Sequence, residues 1–234
     1  MNIIVKPYGS DLCYCRPDTT WERENKDFFS PECVNEIYWT PVVFARVSKA
    51  GKCVGSKFVG RYYDAVGCGM LLYCGTSGLS VSSGAPRTQR TELLLATKVH
   101  RTICSSLATP TRGWENAISD HQPIRQLSHI VDKTSILPHP LFQPVVLEDE
   151  KEFTVSTKVA GTGSNAEASV ILSEAKDLLE ETLCKASELT SLRIGDFVAV
   201  ELAAPAALAR REDGEVAVKG TFCEKETIDF KIIF

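Results

Sequence analysis

The chain lacks any concentration of positive charge. Its 26 Lys and Arg are scattered among 30 Asp and Glu, for a net charge of -4. No basic stripe able to neutralise a row of phosphates is present, which argues against nucleic acid as a partner. Nor does any stretch approach the run of about 20 apolar residues that spans a bilayer. The N-terminal MNIIVKPYGSD has no basic start, long apolar core or small-residue cleavage site, so it does not read as a secretory signal, and the expected compartment is the cytoplasm. Imidazole is scarce: four His, at 100, 121, 129 and 139, leave few candidates for acid–base work near neutral pH. The Gly/Ser-rich passage from Gly75 to Pro86 has no Gly-Lys-Ser/Thr ending and opens no G-x-G-x-x-G helix, so it reads as a surface loop rather than a phosphate cradle.

Cysteine, by contrast, is plentiful. Nine are present, and because the number is odd they cannot all pair internally. Their positions show no compact disulfide or zinc spacing. Cys13 and Cys15, one residue apart, point to opposite faces of a strand and chelate poorly. Reduced thiols acting as small hydrophobes are expected, Cys68 and Cys74 among them.

With 234 residues, 44% hydrophobic and 24% charged, the chain can bury a sizeable core. Most of its patterning is of the β type. Residues 3–12 read as a strand ending in a Pro-Tyr-Gly-Ser turn, and 16–35 as loop around Phe28-Phe29, with Trp21–Asp27 a solvated charged face. Ile37–Val47 is a buried strand in which Pro41, lacking an N–H, belongs at an edge or bulge. Lys57–Asp64 fits a short helix with Ser56 as N-cap and Phe58 and Tyr62 inward. Residues 65–74 form a second buried strand, and Phe153–Ala160 alternates as a strand with one wet face. From Ser169, the spacing of Leu172, Ala175, Leu178, Leu179, Leu183 and Ala186 predicts a helix of about fifteen residues. Thr88–Ser106 fits either a helix or strand pieces. Val216–Gly220 and Ile228–Phe234 read as a terminal hairpin turning near Cys223–Glu226.

Several of these segments stand in a telling order. Lys6-Pro7-Tyr8-Gly9-Ser10-Asp11-Leu12 is followed by Gly51-Lys52, Lys57-Phe58, Arg61-Tyr62-Tyr63-Asp64 and Gly67-x-Gly69. Trp114-Glu115, Leu192-Arg193-Ile194-Gly195-Asp196-Phe197 and the closing TIDFKIIF come later. Together they resemble the fumarylacetoacetate hydrolase family at both ends of the chain, with the region 75–112 divergent. The resemblance implies a single domain over 1–234. Its fold class would be mixed, β-rich α+β: a β-roll or barrel with a few short helices, assembling as a homodimer.

The resemblance also marks what is replaced. Where the family has two acidic metal ligands one residue apart, this chain has Thr40-Pro41-Val42. The family's Asp two residues after G-x-G is Leu71, its Lys beyond Trp-Glu is Ile118, and the Gly of its Gly-Thr-Pro is Glu201. Hard divalent cations are held by oxygen ligands, and Val42 and Leu71 offer none. Ile118 cannot stabilise a developing enolate, and Glu201 would repel an anionic substrate. No cofactor is therefore expected. The chain reads as a non-catalytic binding or assembly module, whose ligand would be small and apolar or weakly polar. A purely structural homodimer is one alternative. The other is a Mg²⁺- or Mn²⁺-dependent hydrolase or decarboxylase of acylpyruvate-type 2-oxo acids with a rebuilt site. Weak candidates for such a site are Glu36 and Asp64 for metal and Asp120 and His121 for proton transfer, although His121, with no partnered nucleophile, is better read as a surface or structural residue.

Overall fold

The computed structural model describes residues 1–75, 128–148, 151–159, 165–172 and 174–234. In chain order the strands are β1 (Asn2–Lys6), β2 (Tyr14–Pro17), β3 (Trp21–Glu22), β4 (Phe28–Phe29), β5 (Glu36–Val47), β6 (Tyr63–Gly75), β7 (Ser128–His129) and β8 (Ser135–Ile136). They continue as β9 (Glu152–Val159), β10 (Asn165–Ile171), β11 (Phe197–Glu201), β12 (Ala206–Arg210), β13 (Glu215–Phe222) and β14 (Lys225–Ile233), with one α-helix among the described residues, α1 (Ala175–Leu189). The mixed, β-rich fold class that the resemblance implies is the one found.

Two sheets form. The larger runs β2-β1-β11-β5-β6-β8-β3, with β12 also on β5 and β7 on β6; the smaller runs β10-β9-β13-β14-β4. β5 and β6 pair antiparallel from Glu36 opposite Gly75 to Val47 opposite Tyr63. Alternation along them divides the larger sheet into two apolar faces. Val43, Ala45, Cys68, Met70 and Leu72 face outward to a core shared with Leu179, Leu183 and Ala186 of α1 and with Phe153, Val218 and Ile228 of the smaller sheet. Val42, Phe44, Leu71 and Tyr73 face inward with Ile3, Val5, Phe197 and Ala199.

The larger sheet curls into a nearly closed roll whose seam is polar. Arg16 of β2 is fully buried, and its guanidinium donates to the carbonyl oxygens of Thr134 (3.1 Å) and Leu72 (3.2 Å), across the gap to β6 and β8. Beside it, the Lys133 N–H donates to the Thr19 carbonyl at 3.2 Å, and the hydroxyls of Thr20 and Ser135 meet at 2.9 Å.

Four expectations are corrected. Pro41 lies in the middle of β5, opposite Met70, but on its other side β11 pairs from Val42 onward and β12 ends at Trp39. The missing N–H therefore falls where the neighbouring strand breaks, and only the Pro41 carbonyl is used, accepting from the Leu202 N–H at 2.9 Å. Ser56–Arg61 is a 3-10 turn with Gly55 at its N-cap; Phe58 is exposed, while Val59 and Tyr63 are buried. The tighter three-residue turn rotates Phe58 off the face that an α-helix would have buried.

Residues 16–35 are not simply loop. Glu22 of β3 is buried, and the Trp21 indole donates to the Leu137 carbonyl at 3.1 Å, so the solvated face begins only at Arg23. The helix starts at Ala175, because Asn165–Ile171 pairs with β9 over seven positions. The fifteen-residue length of α1 is as expected. β13 and β14 form the terminal hairpin, with Cys223 and Glu224 both at positive φ, 51° and 61°, a two-residue turn suited to right-twisted strands.

Candidate functional site

The inward face of the roll gathers four of the positions that the resemblance singles out. Thr40 lies opposite Leu71 and Val42 opposite Gly69 on β6, and on the other side Val42 lies opposite Glu201 on β11. Directly opposed side chains in an antiparallel pair sit about 5 Å apart at Cβ. Thr40, Val42, Leu71 and Glu201 therefore share one patch. The first three are 0% exposed and Glu201 is 3% exposed.

The patch is tightly packed. Gly67 and Gly69 carry no side chain there because none would fit: a Cβ on Gly67 would stand 2.6 Å from the Phe44 ring, and one on Gly69 would stand 2.2 Å from the Ile136 carbonyl oxygen. The Phe44 ring meets that of Phe197 edge to face, 5.6 Å between centroids. Thr40 turns its hydroxyl out of the cluster and donates to the Ala203 carbonyl at 2.6 Å.

Glu201 is held at the polar end of this face. One carboxylate oxygen accepts a hydrogen bond from the Tyr73 hydroxyl, and the other accepts from the Tyr8 N–H at 2.9 Å. The Tyr73 and Tyr14 hydroxyls meet at 2.6 Å, and the Arg16 Nε donates to Tyr14 at 3.2 Å. Sequence reasoning missed Tyr14, Arg16 and Tyr73. The period of two that links Gly67, Gly69 and Leu71 leads directly to Tyr73 and could have found it; nothing local marks Arg16.

The remaining candidates are not brought here. Glu36, at the start of β5, accepts from the Tyr38 hydroxyl at 2.6 Å, and this bond holds the Tyr38 pKa above its ordinary value. Asp64 takes two hydrogen bonds from Arg46, at 3.1 and 2.8 Å. Glu36 and Asp64 lie at opposite ends of the β5–β6 pair, about 33 Å apart at ~3.3 Å per residue, too far to share a cation. Ile118, Asp120 and His121 lie outside the described residues, as do Thr88–Ser106 and most of the Gly/Ser-rich passage. The buried thiols are poor nucleophiles, since burial pushes Cys74 up to about 12 and Cys68 well above its ordinary value.

No family model matches the sequence, and no curated protein does. Solved structures do match. A fumarylpyruvate hydrolase from Pseudomonas aeruginosa, in complex with Mn²⁺ and pyruvate, aligns with a TM-score of 0.60 at 13% identity, over 100% of this chain and 90% of that one. A 2-hydroxyhepta-2,4-diene-1,7-dioate isomerase from Mycobacterium marinum aligns with a TM-score of 0.57 at 14% identity, over 99% and 74%. A protein from Yersinia pestis CO92 described under the fumarylacetoacetate hydrolase family aligns at 0.58 and 12%, over 99% and 92%. The chain has the fumarylacetoacetate hydrolase fold.

The fit of a divalent cation to this version of the fold can be judged from its donors. Among the described residues no three carboxylate, imidazole or thiol side chains come together in a way that could hold a metal. On the inward face Val42 and Leu71 offer no oxygen, the Thr40 hydroxyl is turned to Ala203, and Glu201 is engaged by Tyr73 and Tyr8. These residues do not suit a Mg²⁺ or Mn²⁺ ion, which needs about six oxygen ligands.

Proposed function

We propose that this chain is a non-catalytic protein on the fumarylacetoacetate hydrolase fold, a binding or assembly module that works as a homodimer. The observation that carries this reading is the packing of Thr40, Val42 and Leu71, side by side and 0% exposed, on the inward face of the roll. Lewis-acid chemistry on a 2-oxo acid needs a cation that polarises the substrate oxygens and a fixed group that moves a proton, and apolar side chains supply neither. Any small ligand is apolar or weakly polar, because a second negative charge beside Glu201 would be repelled.

The test is the melting temperature with and without Mn²⁺ plus oxalate, a bidentate dianion. A ligand at a hundred times its dissociation constant adds about 2.7 kcal/mol, worth on the order of 5 to 10 °C in a chain of this size. The expected result is no shift. A rise abolished by a chelator would overturn the proposal in favour of a metal-dependent hydrolase or decarboxylase of acylpyruvate-type 2-oxo acids. Static light scattering reads the homodimer independently.

A further inference from the structure

The hydroxyls of Tyr14 and Tyr73 stand between a buried guanidinium and a buried carboxylate, and their protons have one consistent order. An ionised Glu201 only accepts, so Tyr73 donates to it. With its proton committed, the Tyr73 oxygen accepts from Tyr14 at 2.6 Å. Tyr14 in turn accepts from the Arg16 Nε at 3.2 Å, and Arg16 has no accepting atom at all. Every link thus runs from the cation toward the anion, the arrangement in which hydrogen bonds polarise and strengthen one another. The Arg16 guanidinium also lies 4.6 Å from the centroid of the Tyr73 ring, which adds a cation–π contact.

The two ends of this line hold different parts of the fold. At one end Arg16 closes the seam through Thr134, Ser135 and Leu72. At the other, Glu201 holds the backbone N–H of Tyr8 at the turn after β1. We infer that Arg16, Tyr14, Tyr73 and Glu201 form a proton-ordered relay that couples the seam of the roll to the Tyr8 turn. A change at the carboxylate is transmitted to the seam, and breaking the seam releases the turn. The relay does not depend on whether the chain is catalytic, since all four residues belong to the protein itself.

Amide hydrogen exchange tests the coupling, because it reports local opening residue by residue. Glu201→Leu removes the terminal acceptor. The relay requires exchange of the seam amides Leu72 and Lys133 to rise about tenfold or more, while amides of β9 and β13 in the smaller sheet stay within about threefold of the wild type. Arg16→Met must reciprocally speed the Tyr8 amide, since linkage between two sites runs both ways. Should either variant fail to fold, Tyr14→Phe removes the middle hydroxyl while leaving both charges, and must speed Leu72, Lys133 and Tyr8 together. Exchange that rises only around Tyr8 in Glu201→Leu, or only at the seam in Arg16→Met or Tyr14→Phe, would overturn the relay and leave two independent contacts. Thermal midpoints supply a second reading: Arg16→Met/Glu201→Leu must lose less than the sum of the single losses, and additivity within error would count against coupling.

Discussion

Replacing Gly69 by Ala tests whether the inward face is as crowded as it is drawn. Two effects oppose each other. A glycine in a strand costs roughly 0.5 to 1 kcal/mol relative to alanine through the freedom of the unfolded chain, so the substitution should stabilise if there is room. At Gly69 there is none: the new Cβ would lie 2.2 Å from the Ile136 carbonyl oxygen, against ordinary contact from 3.4 Å. β8 must withdraw by the difference, about 1.2 Å. That movement strains the pairing of Met70 with Ile136 and Leu71 with Ser135, and the 2.7 Å bond from the Leu72 N–H to Thr134. Overpacking of this kind costs about 1 to 3 kcal/mol, and each lost hydrogen bond costs roughly another 1. The clash outweighs the entropy gain, for a net loss of about 2 to 4 kcal/mol. Urea unfolding reads it as a midpoint lowered by on the order of 1 M at unchanged slope. Gly55→Ala is the control, since a Cβ there meets nothing nearer than Phe58 at 4.0 Å, and its midpoint should stay level or rise. A Gly69→Ala protein as stable as the wild type would refute the tight packing of the inward face.

Leu71→Ala should lower stability by about 3 to 5 kcal/mol through the cavity left in the inward cluster, while Ile194→Ala, at a residue 72% exposed, should change it by less than about 0.5; matched urea titrations compare them. Alkaline pH should destabilise the fold through its buried thiols. Burial raises the Cys74 pKa from 9.0 to about 12, so between these values the unfolded chain loses a proton that the folded chain keeps, and stability present below pH 9 falls as pH rises. At about 1.4 kcal/mol per unit once the unfolded thiol is fully titrating, the loss from pH 9 to pH 11 is on the order of 2 kcal/mol from this residue. Cys74→Ala should flatten the decline in unfolding midpoint over that range, and an unchanged slope would dismiss Cys74 as its source.

Much of the scaffold is legible because local pattern and tertiary pairing agree. β5 and β6 follow from their continuous apolar runs, β9 from its alternation and the β13–β14 hairpin from two strand-like runs around a turn. The misplaced boundaries come from pairings that local pattern does not contain. Ser169–Ile171 carries apolar residues compatible with a helix, yet Val170 and Ile171 pair with Phe153 and Glu152, and seven rungs of ladder outweigh a helical extension of three residues. The 3-10 turn at Ser56–Arg61 likewise departs from the helical period over too short a length for spacing to reveal it.

The site divides in the same way, and the division explains what was missed. That Thr40, Val42, Leu71 and Glu201 share a face requires only a period of two and the register of three strands, and each of them was conspicuous as an unexpected residue type. Arg16 is different. The sequence around it, Cys-Tyr-Cys-Arg-Pro, reads as an ordinary edge of a strand, where an arginine would be solvated. What buries it is the closure of the roll, which brings Thr134 to a residue 118 positions away and Leu72 to one 56 positions away. A buried guanidinium is tolerable only where its donors are satisfied, and here the Thr134 and Leu72 carbonyl oxygens, which any side chain would have provided, share that task with the hydroxyls of Tyr14, Thr134 and Ser135. No residue type in the sequence can announce such partners. Thr40, Val42, Leu71 and Glu201 could therefore be singled out along the chain, whereas the buried Arg16 and the partners that satisfy it emerge only from topology.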